Sequence, residues 1–123
     1  MKKTYKILLL IVFLTLTSVI NSQTSIDGES EIVNLIITFQ QKRHTKSAEA
    51  KTAIEKAIGI AKKTGNDEKL VSCKILLGEF YDDNGEFNKA FSEYSEALLL
   101  AENTNDIGGM ALCKYDLGFL FYK

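Results

Sequence analysis

The chain repeats its own sequence at an offset of 40 residues. The segment 57–82 aligns with the segment 97–122 without a gap. A fixed internal period of this length is typical of stacked repeat arrays, in which each unit buries its apolar side against its neighbours. The identical pairs are Ala57 and Ala97, Ala61 and Ala101, Thr64 and Thr104, Cys73 and Cys113, Lys74 and Lys114, Leu77 and Leu117, and Gly78 and Gly118.

The repeated units are predicted to be helical. The 123 residues contain no proline, the residue that most strongly disrupts a helix interior. Apolar residues recur at helical spacing, short polar turns separate the periodic stretches, and nothing has the alternation of a strand. The sequence therefore predicts an all-α fold of antiparallel helix pairs, with helices over about 30–43, 47–63, 67–82, 86–102 and 106–123.

The N-terminal segment has a different composition from the rest. Three lysines, at positions 2, 3 and 6, precede an apolar stretch from Ile7 to Ile20 that only Thr and Ser interrupt. This order is typical of a secretory signal peptide, and the stretch is shorter than the roughly 20 apolar residues of a spanning helix. We assign 1–23 to a signal peptide, with an uncleaved membrane anchor and a buried N-terminal helix as alternatives. Residues 24–30 are then a linker and 31–123 the repeat domain, so we expect an exported protein, periplasmic or secreted.

The net charge argues against nucleic acid as a partner. The net charge is −1, and three of the 15 basic side chains are the N-terminal lysines. The rest is weakly acidic and gives no electrostatic basis for binding nucleic acid.

The two cysteines, Cys73 and Cys113, lie one period apart. Equivalent helices pack about 8–10 Å apart, beyond the 4.4–6.8 Å or so between disulfide-bonded Cα atoms, so both are interpreted as small buried apolar residues.

No set of residues suited to catalysis stands out. His44, the only histidine, lies in a predicted turn without acidic or cysteine residues at ligand spacing. Gly108 and Gly109 lack the lysine of a phosphate loop, and the acidic turn 82–86 lacks the ligand spacing of a calcium loop. Without a nucleophile–base pair or a metal-ligand set, we expect neither an enzyme nor a cofactor.

The third helix, its turn and the fourth helix resemble a tetratricopeptide repeat. The family pattern of Leu-Gly-x-x-Tyr, followed by Ala, an aromatic residue and Ala, is present with the expected spacing. Lys74 and Glu102 stand where Trp and Pro are usual, and the period exceeds the usual ~34 residues. The resemblance covers about 31–123, or two and a half repeats. The residues that carry it are Leu77, Gly78, Tyr81, Ala90, Tyr94 and Ala97, and then Leu117, Gly118 and Phe121 of an incomplete unit.

The resemblance implies an α-solenoid whose first helices line a concave face that binds a protein or peptide. Arrays with this longer period resemble the sensory arrays of bacterial signalling proteins. The leading hypothesis is a non-catalytic interaction module, exported and contacting a membrane only through an uncleaved N-terminal segment. The alternative is an extracytoplasmic sensory fragment of a histidine kinase or transcriptional regulator without its output domain. The candidate concave residues are Leu35, Phe39, Lys42, Ile75, Glu79, Asp82, Tyr115, Phe119 and Tyr122.

The last predicted helix is expected to promote association. Leu117, Leu120 and Phe121 occupy the positions that would face a following helix. Burying such a side chain is worth roughly 1.5–3 kcal/mol, so exposed ones favour contact with another chain. We therefore expect that the chain is a fragment of a longer protein, or that this helix mediates a homo-oligomer.

Export is directly testable. The basic, apolar and polar order of 1–23 predicts that protein isolated from its native host has lost about the first 22–23 residues. Intact-mass spectrometry measures this loss. A full-length product in the cytoplasmic fraction would contradict the assignment.

Overall fold

The computed structural model describes residues 2–123, and within this range it contains five α-helices and no strand. Met1, the first residue of the predicted signal peptide, lies outside the described residues. The helices are α1 (Lys2–Lys42), α2 (Ser47–Thr64), α3 (Asp67–Asp83), α4 (Phe87–Asn103) and α5 (Ile107–Leu120). The all-α class predicted from the sequence is confirmed.

Each helix packs against the next one in the chain, and α3 also contacts α5. The sequence period is also the period of the helix starts. The second and fourth helices begin at Ser47 and Phe87, and the third and fifth at Asp67 and Ile107, 40 residues apart in both cases. The offset found in the sequence therefore marks equivalent places in the structure.

The turns between helices repeat as well. Gly65 and Asn105, one period apart, both adopt a left-handed backbone conformation, with φ of 66° and 54°. The next residue caps the following helix in each case. The side chain of Asn66 accepts a hydrogen bond from the Lys69 N–H, and that of Asp106 accepts one from the Gly109 N–H. Such caps satisfy N–H groups that the first helical turn leaves unpaired.

The core lies between successive helices and has the same spacing in both halves. Buried alanines line α2 and α4, and larger side chains from α1 and α3 fill the space between them. Cys73 and Cys113 are free and fully buried, and burial raises the pKa of each thiol to about 11. The residues with no exposed surface are Ile32, Phe39, Ala50, Ile54, Ala57, Ala61, Cys73, Ala90, Ala97, Ala101 and Cys113.

Residues 24–30, predicted as a linker, lie within α1, which runs as one helix of 41 residues. Gly28 is where this segment contacts α2. A Cβ placed on it would lie 3.0 Å from Thr64 Cγ2 and 3.6 Å from Ile60 Cγ2. The end of α2 therefore lies against this part of α1, and with no proline nearby the helix need not end.

The exposed N-terminal part of α1 carries the apolar stretch identified in the sequence. Among the described helices, α1 is the one that is long and apolar enough to cross a membrane. A signal sequence also lies near the N-terminus, so this helix is compatible both with a signal peptide and with a membrane anchor.

At Gly78, on the side of α3 that faces α4, the two helices approach closely. A Cβ on Gly78 would lie 2.6 Å from Tyr94 Cε1 and 2.7 Å from Cδ1. Real Cβ atoms do not approach a ring so closely, so glycine is required for this contact. Tyr94 is 2% exposed, so its ring lies within the packed core.

We expect Gly78→Leu to be strongly destabilising because the added side chain must displace the Tyr94 ring. Overpacking of this kind costs about 1–3 kcal/mol, which corresponds to a melting temperature lower by roughly 4 °C or more for a domain of this size. Gly59→Leu is the matched control, since nothing lies within 4 Å of a Cβ at Gly59. Thermal unfolding followed by circular dichroism measures the difference. Equal melting temperatures for the two variants would contradict the contact.

Candidate functional site

Two of the residues predicted to line a concave face belong to the core. Phe39 is fully buried and Ile75 is 5% exposed, so neither is available to a ligand. The Phe39 ring meets Phe80 of α3 edge to face, with centroids 6.2 Å apart. The prediction is corrected for these two residues because both side chains lie in the apolar core, where the Phe39 side chain reaches from α1 to Phe80. Leu35 is partly buried against the same core, and Lys42 pairs with Glu49.

Three other predicted residues form an exposed aromatic row, two of them on α5 and the third, Tyr122, just after its end, and we call this row the aromatic face. Tyr115, Phe119 and Tyr122 are 70%, 52% and 94% exposed. The rings of Tyr115 and Phe119 are stacked, with centroids 6.4 Å apart and an interplanar angle of 12°. The four-residue spacing of Tyr115 and Phe119 places them on one side of α5, and the backbone N–H of Tyr122 donates a hydrogen bond to the Phe119 carbonyl in the turn that follows.

Lys123 connects the aromatic face to α3. Its Nζ donates hydrogen bonds of 2.8 Å to both carboxylate oxygens of Asp82. The same ammonium lies 5.2 Å from the Phe119 ring centroid and 5.9 Å from that of Phe87, within the range of a cation–π interaction. Asp82, also a predicted site residue, is thus held at the border of the aromatic face.

Arg43 makes the corresponding link between α1 and α3. Its guanidinium donates to Glu79 Oε2 at 3.0 Å and also to the Asp83 carboxylate. The guanidinium carbon lies 5.5 Å from the Phe39 ring centroid. Glu79, the remaining residue that was predicted to line the concave face, is therefore already paired with Arg43. Sequence spacing does not indicate this pairing, because Arg43 and Glu79 are 36 positions apart.

Asp116 lies on the side of α5 that turns towards α3. Burial, followed by the nearby carboxylates of Glu79 and Asp82, raises the pKa of Asp116 to about 6. The Tyr94 phenol also has a raised pKa, mainly through burial and then through Asp116 and Asp82. The space between α3 and α5 is therefore acidic, and it adjoins the aromatic face.

The sequence did not reveal an ion-pair cluster between α3 and α4. Lys74 is 8% exposed, and its Nζ donates to Glu93 Oε2 at 3.1 Å and to Glu96 Oε2 at 2.7 Å. Burial lowers the pKa of this lysine, but the two glutamates outweigh it and the net shift is upward. The only signal in the sequence was a lysine at a position where the repeat pattern has Trp.

Within residues 2–123, no group of three or more His, Cys, Asp or Glu side chains is arranged to hold a metal ion. What the structure offers at this surface is exposed aromatic area beside partly buried carboxylates. Such a surface is suited to binding a polypeptide by apolar contact and charge.

No family model matches the chain, and neither a curated protein nor a solved structure is significantly similar to it. The resemblance to tetratricopeptide repeats therefore depends on the residues of this chain and on their spacing.

We expect the raised pKa of Asp116 to make the stability depend on pH. In an unfolded chain the pKa of aspartate is about 4. Because the folded-state pKa is higher, the folded chain binds more protons between about pH 4 and 6. Its free energy of unfolding therefore decreases as the pH rises through this window.

Removing the carboxylate charge at position 116 is expected to remove this loss of stability. Asp116→Asn should raise the melting temperature at about pH 7.5 and change it little at about pH 4. Asp27→Asn, at an exposed position of α1, is the control and should retain the pH dependence of the unmodified chain. Melting curves at the two pH values measure the effect. A shift at pH 4 as large as that at pH 7.5 would contradict the placement of Asp116.

Proposed function

We propose that this chain is a non-catalytic protein-interaction module, built as a tetratricopeptide-like α-solenoid of about two and a half repeats. The observation that carries the proposal is the exposed aromatic face of Tyr115, Phe119 and Tyr122, at the C-terminal end of α5 and just after it. Contiguous exposed apolar area on a folded domain marks an interaction surface. Aromatic side chains are enriched among the residues that dominate binding energy.

The spacing of the helices supports the solenoid arrangement. Helix starts recur at 40 residues, consecutive helices pack against each other, and α3 contacts α5 across the unit boundary. The left-handed residues and caps of the inter-helix turns recur at the same offset. In such an array the first helices of successive units lie side by side and present their side chains on a shared surface.

The chemistry of the surface favours a polypeptide with apolar and basic side chains. Asp82 and Glu79 already pair with Lys123 and Arg43, whereas Asp116 has no ion-pair partner within residues 2–123. A cationic side chain placed near Asp116 would stabilise its charged form. Apolar side chains of the same ligand would cover the aromatic face beside it.

The continuity of α1 favours a second candidate, a membrane-attached sensory fragment of a histidine kinase or transcriptional regulator. The apolar stretch and the segment that packs on α2 form one helix. If the N-terminus stays uncleaved, the helical domain is joined to the membrane without a flexible linker. The exported location belongs to both candidates, and the mass of the mature protein distinguishes a cleaved from an anchored form.

Site-specific photo-crosslinking in the native host tests the interaction surface. A photoreactive residue replaces Tyr115 in one variant and Leu99, exposed on α4, in the other. We expect a protein partner to crosslink from position 115 and not from position 99. The partner is then purified, and its affinity for Tyr115→Ser and Leu99→Ser is measured by calorimetry.

The affinities decide whether the aromatic face is the binding site. Loss of a central aromatic contact is expected to weaken binding by about tenfold or more, and Leu99→Ser should bind as the unmodified chain does. Equal crosslinking from both positions, or equal affinities of the two variants, would contradict the proposal.

A further inference from the structure

A different side of α5, with its C-cap residue, carries three of the four residues that α3 uses to hold α4, and a Phe in place of the fourth, a Tyr. On α3 these residues are Lys74, Leu77, Gly78 and Tyr81. One period later they are Lys114, Leu117, Gly118 and Phe121, which we call the open face. It is separate from the aromatic face, because the two sets lie on different sides of one helix.

The two equivalent surfaces differ in what covers them. On α3, Leu77 and Tyr81 are buried, and a Cβ on Gly78 would strike the Tyr94 ring. On α5, nothing lies within 4 Å of a Cβ placed on Gly118. Phe121 is 77% exposed, and its ring meets Phe91 only at its edge, 6.1 Å between centroids. Leu117 is partly buried against the core, but around Gly118 the open face has room where α3 holds an aromatic ring.

The charges of the two surfaces differ in the same way. The side chain of Lys74 is 10% exposed and binds Glu93 and Glu96 of α4. The side chain of Lys114 is 62% exposed, and its nearest carboxylate, Glu102, is 4.0 Å away. The open face thus presents a cation where the equivalent cation of α3 has two carboxylate partners.

The covered surface of α3 shows which chemistry fits the open face. The face of α4 that lies on α3 has Ala90, Tyr94 and Ala97, all buried, with a glutamate directly before Tyr94 and another before Ala97. A matching helix would place its aromatic ring over Gly118 and its acidic side chains beside Lys114. We propose that the open face binds a helix of a partner protein with this pattern: Ala-x-x-acidic-aromatic-x-acidic-Ala.

A second intact copy of this chain does not supply such a helix. In α4 the three pattern residues are 0%, 2% and 0% exposed, and the corresponding Ala50, Ile54 and Ala57 of α2 have no exposed surface. Either helix would have to leave its own core in order to bind another copy. The proposal shares the repeat arrangement with the proposed function but does not rest on the aromatic face, because it uses none of that face's residues.

The probe is a synthetic peptide with the sequence of 86–103 of this chain. A hydrocarbon staple joins the positions of Asn88 and Ser92, both exposed in α4, since an isolated helix of this length is marginally stable. The full chain is reconstituted in lipid nanodiscs and titrated with labelled peptide. A second peptide carries a photoreactive residue in place of Tyr94, and mass spectrometry locates its crosslinks. We expect saturable binding and crosslinks within 114–121.

Two helical glycines provide matched variants of the chain. Both Gly118→Leu and Gly59→Leu add a side chain where nothing lies within 4 Å, so both should keep the helical circular dichroism of the unmodified chain. Only Gly118→Leu fills the space that the peptide ring is expected to occupy. It should weaken binding at least about tenfold, whereas Gly59→Leu should leave the affinity unchanged.

A charge reversal tests the orientation of the bound peptide. Lys114→Glu should weaken binding of the peptide, and a peptide with Glu93→Lys and Glu96→Lys should restore it. Tyr115→Ser, on the aromatic face, should not change the affinity for the peptide. The open-face proposal and the aromatic-face proposal can therefore fail separately.

Four results would overturn the proposal. They are an absence of saturable binding, equal affinities of the two glycine variants, crosslinks near Gly78 or on α1, and a dimer of the chain that excess peptide does not dissociate. Crosslinks near Gly78 would mean that the peptide replaces α4, and such a dimer would mean that a second copy covers the open face.

Discussion

The contact between Gly78 and the Tyr94 ring is the constraint on which the arrangement of the central helices depends. It lets α3 and α4 approach until a Cβ at position 78 would lie 2.6 Å from the ring. This close approach brings Lys74 within hydrogen-bond distance of Glu93 and Glu96. The hydrogen bonds satisfy a lysine that would otherwise be buried at a high cost. Apolar packing and charge pairing at this interface therefore require the same glycine.

Much of the fold was predictable because it follows from local chemistry. The 40-residue offset, the absence of proline and the polar turns predicted five helices with bounds close to those observed, apart from the start of α1. The helix over 24–30 was not predicted, and its contact with α2, between Gly28 and Thr64, joins residues far apart in the sequence. Contacts between residues distant in sequence leave no mark on the composition of a short polar stretch.

The candidate site was predicted only in part, for a related reason. Repeat spacing indicates on which side of a helix a residue lies, but burial depends on how closely the next helix approaches. In α1, Thr38 stands where α3 has Gly78, and α1 instead buries Ile32 and Phe39. The aromatic residues of α5 were predicted as surface residues and are exposed. The pairings of Arg43 with Glu79 and of Lys123 with Asp82 are long-range contacts that spacing does not indicate.

The distance between Gly78 and Tyr94 in solution tests the account most directly. Nuclear Overhauser spectra of the chain, with Gly78 and Tyr94 assigned, report on this contact. We expect strong cross-peaks between the Gly78 Hα protons and the Tyr94 ring protons, with the Hα resonances shifted by the ring current. Gly118, its equivalent in α5, should show no such cross-peak in the isolated chain. Absence of the Gly78 cross-peaks, or equal ones at Gly118, would contradict the helix packing from which both surfaces of α5 are derived.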